Sequence, residues 1–432
     1  MLETLRNAWK IADLRQKILY SLLILFIVRL GSVIPVPFLD PTALQSMIGQ
    51  SGNLLGYLDI LTGGAFANAT LFALSISPYI TSSIVIQLLT VAIPALERMA
   101  KEGEEGRKKI QKITRYGTVA LAILESVAYY IMFRNTQGAL AFRDGWQGVL
   151  TGIVIISSFT AGALLIVWLG ERIDANGIGN GISLILFAGI VSRGPAAVLK
   201  LWTYVQLGVA GETKYFFFVP LTIVLFVVLI GFIVVMTSAE RRIPVQYAKR
   251  VVGRKMYGGQ STHIPIKVNM SGVLPIIFAS AFLAIPGTVK GFVDPNEERL
   301  VGQILGWFDY NTLLYAALYF ILIIAFNYFY IAVQYNPIEM ANNLRKNSGT
   351  IPGIRPGKPT SDFISKVIGK ITLVGALFLA VVAILPIGVG AVASMNIALG
   401  GTSIIIVVGV ALDTVRSLES QMMMRHYKGF LE

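Results

Sequence analysis

The sequence predicts an all-α integral membrane protein that crosses the bilayer ten times. Hydrophobic residues make up 55% of the 432 residues, charged residues only 14%, and the mean hydropathy is +0.70. The charged residues are concentrated in a few segments that separate long apolar runs. A soluble protein of this length needs a charged surface, whereas this chain is suited to lipid over most of its length.

Ten runs are apolar enough to cross the bilayer as helices, which need about 20 residues each. They are 18–34, 72–93, 116–133, 149–169, 179–192, 216–236, 271–289, 311–333, 371–388 and 400–415. The fifth run is the shortest and opens with glycines, so a re-entrant segment is its alternative. Residues 53–70 are interrupted by Gly63 and Gly64. We expect them to form an interfacial helix or a helix folded back into a cavity.

The N-terminal residues and the scarcity of Cys and His bear on whether the chain has a signal peptide, disulfides or a metal site. The first apolar run begins near Ile18 after a charged segment, and no cleavage site of small residues follows it, so we expect no cleavable signal peptide. Cysteine is absent, which excludes disulfides, and His263 and His426 are isolated from other metal ligands. The sequence therefore predicts no metal site and no cofactor.

The lysine and arginine residues predict the orientation of the spans. With ten spans and a cytoplasmic N-terminus, the inside segments hold 28 of them and the outside loops hold 7, and Arg29 lies within the first span. Positive loops are retained in the cytoplasm, so both termini of this multi-pass protein are predicted to lie there. Losing one span would reverse every later loop, so this bias also supports the count of ten.

Ten spans divide into an N-terminal half, residues 1–205, and a C-terminal half, residues 206–432. Because each half has an odd number of spans, the second half starts from the opposite face of the membrane. Any structural repeat between the halves then has inverted topology, an arrangement common in transport proteins. No repeat at the level of residues supports this division, which rests on the span count.

Three segments that are predicted to be cytoplasmic are long and basic: 97–115, 239–269 and 336–363. One interpretation is charge that orients the protein and attracts anionic lipid. The second and third segments also contain Tyr247, Tyr257, Ile351, Ile354 and several Pro and Gly residues. A shaped surface of this kind favours docking to a partner, and an RNA-rich partner would be attracted by Lys and Arg.

Charged residues within the spans are scarce, with Arg29 and Glu125 the clear cases. Arg29 is expected to snorkel or to form a structural ion pair, and Glu125 to line a cavity or pair with a neighbouring helix. A small-solute secondary transporter, the competing class, would place more ion ligands near the bilayer midplane. The chain contains no HExxH motif, and GIRPGKPT (353–360) lacks the spacing of a phosphate loop. The sequence thus predicts no enzyme.

Several long motifs, in order along nearly the whole chain, resemble those of the SecY family, the channel-forming subunits of bacterial Sec protein translocases. The most specific are SPYITSSIVIQLLT (77–90), KEGEEGRKKIQKITRYGT (101–118), GIGNGISLILFAGIV (177–191), ERRIPVQYAKR (240–250), STHIPIKVNMSGVLPIIFAS (261–280), PGIRPGKPT (352–360) and GGTSIIIVVGVALDT (400–414). The resemblance implies two inverted halves of five helices that close around a central hourglass pore.

The resemblance also implies an aliphatic pore ring and a plug. The ring maps by motif position to Ile80, Ile84, Ile182, Leu186, Ile277 and Ile406. Such a collar excludes water and ions by dewetting, and it makes no hydrogen bonds that depend on the substrate. The plug maps to segment 53–70, with Tyr57, Leu58, Ile60, Leu61, Gly63, Gly64 and Ala65 in its central part.

Partners and a lateral gate are implied in the same way. The gate opens to lipid between the second and third spans on one side and the seventh and eighth on the other, with Gln87, Glu125 and Asn269 as candidates for a polar latch. Docking of a SecA ATPase or a ribosome is expected at Arg241, Arg242, Lys249, Arg250, Arg355 and Lys358. SecE and SecG are the expected further subunits, and unfolded polypeptides with signal sequences are the expected substrates.

Overall fold

The computed structural model describes residues 2–428, except for 43, 46–58, 60–61, 137, 248–249, 253–254, 258–260, 291–311 and 394–400. The predicted plug residues Tyr57, Leu58, Ile60 and Leu61 and the predicted docking residue Lys249 lie outside the described residues.

The N-terminal part of the chain is helical. Its helices are α1 (Leu2–Lys10), α2 (Ala12–Gly31), α3 (Ser77–Ala92), α4 (Pro94–Lys101), α5 (Glu104–Asn135), α6 (Gly145–Asn176), α7 (Gly181–Ser192) and α8 (Gly194–Val209). Helices α3 and α4 meet at a bend of 106°. Pro94 favours this break, because a proline cannot donate the backbone hydrogen bond that would continue α3.

The C-terminal part combines helices with short strands. Its helices are α9 (Lys214–Ser238), α10 (Leu274–Lys290), α11 (Leu313–Gln334), α12 (Pro337–Lys346), α13 (Lys358–Ala393) and α14 (Gly401–Lys428). The strands are β1 (Glu240–Tyr247), β2 (Arg250–Val252), β3 (Lys255–Tyr257), β4 (Ser261–Lys267) and β5 (Gly349–Thr350). The sequence analysis did not predict these strands.

Side-chain caps fix the start of several helices. Asn180 accepts a hydrogen bond from the Ser183 amide and starts α7, and Thr312 accepts one from the Tyr315 amide and starts α11. Asn336 caps α12 in the same way, with Pro337 behind it. Each cap satisfies an amide that has no partner within the helix.

The predicted spans coincide with helices, although the first five residues of run 72–93 form turns. Within the described residues, six helical stretches are long and apolar enough to cross a membrane, or seven if the bent pair α3–α4 counts as one span. The short fifth run continues through α8 as one of them, Gly181–Val209. The prediction of a helical membrane protein is confirmed, and the count of ten stays a prediction.

Each part of the chain has its own apolar core. One core joins α9, α10, α11, α13 and α14 around Ile233, Ile323 and Leu379. Another joins α5, α6 and the turns before α3 around Phe66, Phe133 and Phe159. The predicted boundary at 205/206 falls in the last turns of α8, whereas the helices break at residues 210–213. The division into two halves stays a prediction.

The two ends of the chain lie at the same end of the bundle. Ala8 and Leu14 are fully buried against Leu418 of α14, and Lys17 donates a hydrogen bond of 3.4 Å to Gln421. This packing agrees with the prediction that both termini lie on one side of the membrane.

Loops that are predicted to lie on the same side of the membrane contact one another. Arg115 and Glu171, from two segments predicted to be cytoplasmic, form a salt bridge of 2.7 Å. On the side predicted to be outside, Leu39 forms a β-bridge with Leu140, and the Asp40 amide donates to the Ala139 carbonyl at 3.0 Å. The alternation derived from charge is consistent with these contacts.

Candidate functional site

Three of the six predicted ring residues lie in one apolar cluster. Ile80 of α3 and Ile182 and Leu186 of α7 are half-buried and pack against the same group of buried side chains. This group includes Ala65 from the predicted plug, and Val410 of α14 packs against it as well. Side chains from the N-terminal and C-terminal parts of the chain thus pack in one cluster, to which the glycine-rich segment contributes Ala65.

The other three predicted ring residues have different surroundings. Ile84 lies one turn from Ile80 on α3, and Ile277 lies on α10; both are half-buried. Ile406 of α14 is only 3% exposed. Among the described residues, these three are not members of the cluster around Ile80 and Ile182. The complete six-residue ring stays a prediction.

Ile406 lines a cavity of about 410 Å³ that lies between the helix ends and the small sheet. Its wall combines apolar residues such as Val273 and Val410 with the polar or charged side chains of Lys267, Asn269, Asp413 and Arg416. The cavity is therefore amphipathic, with Ile406 on its wall and β4 at its side.

The predicted plug is tightly folded where it is described. Gly63 and Gly64 have φ values of +65° and +93°, which other residues rarely adopt. A Cβ atom on Gly63 would lie 2.5 Å from Arg29 Nη1 and 2.7 Å from the Gly189 carbonyl oxygen, so a side chain has no room there. Ala65 is 1% exposed. These small residues permit the close packing that the sequence predicted.

Two arginines hold this segment, and the sequence analysis identified only one of them. Arg193, the residue after α7, forms an ion pair with Asp59, and Arg29 donates a hydrogen bond of 3.1 Å to the Gly63 carbonyl. Arg29 was expected to snorkel or to form an ion pair; it binds a backbone carbonyl instead. Asp59 is the one acidic residue in the apolar stretch 53–62, and this isolation was the sequence feature that could have marked it as functional.

The three predicted gate residues stand at separate positions. Gln87 of α3 shares a side-chain hydrogen bond with Tyr330 of α11. Glu125 of α5 bonds Ser77 at the start of α3, which is about 15 Å from Gln87 along the helix. Asn269 lines the cavity, and its buried Oδ1 atom has no hydrogen-bond partner. Their action as one latch stays a prediction.

A buried polar network at the start of α10 was not predicted. Ser271 Oγ bonds Asn327 Oδ1 of α11, and Asn327 Nδ2 donates to the Thr372 carbonyl of α13 at 3.0 Å. Asn327 is 1% exposed. Buried polar groups are costly without partners, so this network fixes the residues just before α10 against α11 and α13. Asn327 stands alone in an apolar run, which gave no sign of its partners.

The predicted docking residues lie around one folded unit. Strand β1 pairs with β4 and, through Gln246 and Tyr247, with β5, so the two long basic loops form a single sheet. Arg241, Arg242, Arg355 and Lys358 are exposed on this unit, and Arg242 pairs with Glu240 at 2.7 Å. Arg250 lies on β2, in a separate hairpin with β3.

The apolar residues that suggested a docking surface have a structural role. Ile351 is 4% exposed in a core that also contains Ile243 and Ile266, and Tyr247 and Ile354 pack against it. These side chains therefore hold the loops in shape. The exposed cations remain as the surface that a partner would contact.

Within the described part of the chain, no group of three or more His, Cys, Asp or Glu side chains lies close enough together to hold a metal ion. The arrangement combines an apolar cluster, a tightly packed glycine-rich segment and an amphipathic cavity that shares Val410 with the cluster.

Comparison with known proteins extends over the whole chain. A family model described as SecY matches residues 70–415. The chain is 43% identical to the protein translocase subunit SecY of Streptomyces galbus and 42% identical to the protein of the same name from Halalkalibacterium halodurans. Both alignments cover 100% of this chain and 100% of the relative.

Solved structures share the fold at low sequence identity. A structure described as a protein conducting channel matches with a TM-score of 0.65 and 18% identity, and a structure of the plug domain of the SecY protein with 0.66 and 19%. The Sec61 chain of a canine ribosome-channel complex matches with 0.60 and 17%. Each alignment covers 94% of this chain and 92% of the other.

Proposed function

The chain belongs to the SecY family, and we propose that it is a passive channel through which unfolded secretory polypeptides cross the cytoplasmic membrane. Relatives of the same length are named protein translocase subunits. The channel has no active site in this proposal. A SecA motor, a translating ribosome or the proton-motive force supplies the energy.

One observation supports the proposal: Ile80, Ile182 and Leu186 pack in one apolar cluster with Ala65 of the predicted plug, and Val410 of this cluster also lines the amphipathic cavity that Ile406 lines. In the proposed channel, this cluster is part of the closed collar. Aliphatic side chains exclude water from a narrow passage. They also deform without losing hydrogen bonds, so polypeptides of any sequence can pass while small ions are retained.

Lateral release of signal helices follows from the helices around the collar. Gln87 on α3 and Tyr330 on α11 share a hydrogen bond across the predicted gate. A hydrogen bond of this kind contributes only about 1 kcal/mol net, so its loss does not prevent opening. A signal helix that inserts between α3 and α11 replaces this contact with apolar surface, and the gate closes again when the helix leaves.

The exposed cations of the joined sheet are the proposed docking site for SecA or the ribosome. Arg241, Arg242 and Arg355 project from one folded unit, and the solved canine relative was determined with a ribosome. Guanidinium groups suit phosphate and carboxylate ligands because they bind them in a bidentate manner. The remaining basic segments attract anionic lipid. SecE and SecG complete the proposed complex.

The proposed orientation has both termini and the joined sheet in the cytoplasm of a bacterial cell, with the plug facing outside. The packing of α1 on α14 supports a shared side for the termini. The cavity between β4 and α14 supports a position of the sheet at that same end, since Lys267 and Arg416 both line it. The excess of Lys and Arg in these segments agrees with the cytoplasmic side.

Reconstitution tests the proposal directly. The chain is purified with its SecE and SecG partners, incorporated into liposomes and supplied with SecA, ATP and an unfolded precursor that carries a signal sequence. We expect the precursor to become protected from added protease inside the vesicles, and a precursor without its signal to remain accessible. Absence of protection in vesicles that contain correctly inserted complex would contradict the proposal.

A further inference from the structure

Asp59 organises the plug segment and also binds outside it. Its Oδ1 atom accepts a hydrogen bond of 2.8 Å from the Ala67 amide, and its carbonyl accepts one of 2.8 Å from the Gly64 amide. Its Oδ2 atom pairs with Arg193 Nη2 at the end of α7. One side chain therefore connects the turn that includes residues 62–67 to the helix that carries Ile182 and Leu186.

Arg29 makes a second connection from a different helix. Its Nη2 atom donates to the Gly63 carbonyl at 3.1 Å, near the end of α2. The Gly63 and Gly64 backbones approach the two guanidinium groups closely, since Cβ atoms there would lie 2.5 Å from Arg29 and 3.1 Å from Arg193. Larger residues at these positions would push the segment away from both arginines.

Asp59 partly neutralises two converging positive charges. The guanidinium groups of Arg29 and Arg193 both contact the segment, and Asp59 supplies the carboxylate that Arg193 contacts, which lowers the net charge of these three side chains from +2 to +1. The Asp59 side chain is 7% exposed and that of Arg193 is 26% exposed. Among the residues that the structure describes, the buried Nε atom of Arg193 has no hydrogen-bond partner. Loss of the carboxylate therefore leaves two like charges in a site that is mostly shielded from water.

We infer that Asp59, Arg193 and Arg29 form a charge latch that holds the plug segment against the ends of α2 and α7 while the channel is idle. The inference rests on the proposed channel function and adds the residues that keep the channel shut. The three side chains are positioning residues, since they act on the plug and not on the polypeptide in transit.

The same burial that holds the latch closed makes it reversible. Breaking a buried ion pair by removing one partner is costly, because the other charge stays in a dry site. When a polypeptide widens the channel, water enters, and both separated charges become hydrated. An exposed ion pair contributes little, so the latch then opposes opening only weakly. The latch resists spontaneous opening and yields once the channel is occupied.

Resting ion conductance in planar bilayers tests the latch. Asp59→Asn keeps an oxygen for the Ala67 amide and removes the charge, and we expect it to raise resting conductance about tenfold through loss of a buried pair. Arg193→Gln should act in the same direction. Asp144→Asn is the matched control, because Asp144 is an exposed acid in a segment that is also predicted to lie outside. It should leave the conductance unchanged.

A reducible cross-link provides a second test that does not depend on charge. The natural chain has no cysteine, so Asp59→Cys with Arg193→Cys introduces the only pair, which a bismaleimide with a disulfide in its spacer joins across the span of the lost side chains. We expect the cross-linked form to block translocation and to conduct no ions, and reduction to produce a leak together with renewed translocation. A thermal unfolding scan of each variant separates a folding defect from a gating defect.

The outcomes separate the latch from the channel itself. If wild-type vesicles translocate the precursor while the Asp59 and Arg193 variants do not leak and the cross-link does not block, the latch is overturned and the proposed function stands. Equal loss of thermal stability without any change in conductance has the same meaning, since it assigns the pair a structural role only. Failure of wild-type vesicles to translocate counts against the proposed function.

Discussion

Replacing Ile406 with alanine tests whether this residue closes the channel. Ile406 is 3% exposed and lines the cavity beside the apolar collar. The substitution removes three carbon atoms, which at about 0.8 kcal/mol per buried methylene reduces the stability of the closed state by about 2.4 kcal/mol. If the open state exposes this side chain, the open-to-closed ratio rises roughly 50-fold, since 1.4 kcal/mol corresponds to a factor of ten.

Two assays measure that shift. Planar-bilayer recordings report the resting conductance, and translocation of a precursor with a defective signal sequence reports how easily the gate opens. Ile404→Ala is the matched control, because Ile404 is 4% exposed on the same helix and packs into the core shared with α9 and α13, and it is not among the residues that line the cavity. It loses the same three carbon atoms and should lower thermal stability without raising conductance.

The control also defines the result that refutes the reasoning. If Ile406→Ala and Ile404→Ala raise the conductance equally, the effect is general loosening of the fold and Ile406 has no special place in the constriction. If Ile406→Ala changes neither the conductance nor the signal requirement, the assignment to the ring is wrong. A polar replacement, Ile406→Asn, should exceed the alanine effect, because an amide in the collar favours water.

Three further predictions concern other parts of the molecule. Arg355→Glu should abolish SecA-dependent secretion while the protein still inserts into the membrane, because it reverses an exposed charge of the docking unit; normal secretion would count against that surface. Deleting residues 57–67 should raise the resting conductance in bilayers, and an unchanged value would argue against a plug. Asn327→Leu should lower the free energy of unfolding by about 1–3 kcal/mol, since it leaves the buried Ser271 hydroxyl without its partner. Asn343→Leu, at an exposed position, is its control in thermal unfolding, and equal stability of the two variants would contradict the network.

Properties that depend on a sum over the residues of a segment, such as apolar content and charge, could be predicted from the sequence. Each predicted span depends on the apolar content of one run, and each coincides with a helix for all or most of its length. The orientation depends on a sum of charges, and contacts such as Arg115 with Glu171 agree with it. Gly63 and Gly64 predicted an interruption of the apolar segment 53–70, because their conformational freedom is a local property.

Side-chain partners were not predictable in this way. The sequence contains Asp59, Arg193, Asn327 and Ser271 as isolated polar residues in apolar surroundings, and nothing near them in the chain identifies what they bind. Their partners come from other helices. Among the predicted gate residues, Glu125 proved to lie beside Ser77 and not beside Gln87, a distinction that depends on helix packing.

The sequence by itself thus determined that this protein crosses a membrane as helices, and it predicts that the basic loops lie on one side. These follow from the transfer of each segment between water and lipid, which needs no knowledge of neighbours. Only the tertiary structure decided that the two basic loops share a sheet and that Asp59 meets Arg193. Those contacts join distant parts of the chain, and their formation depends on how the helices pack around one another.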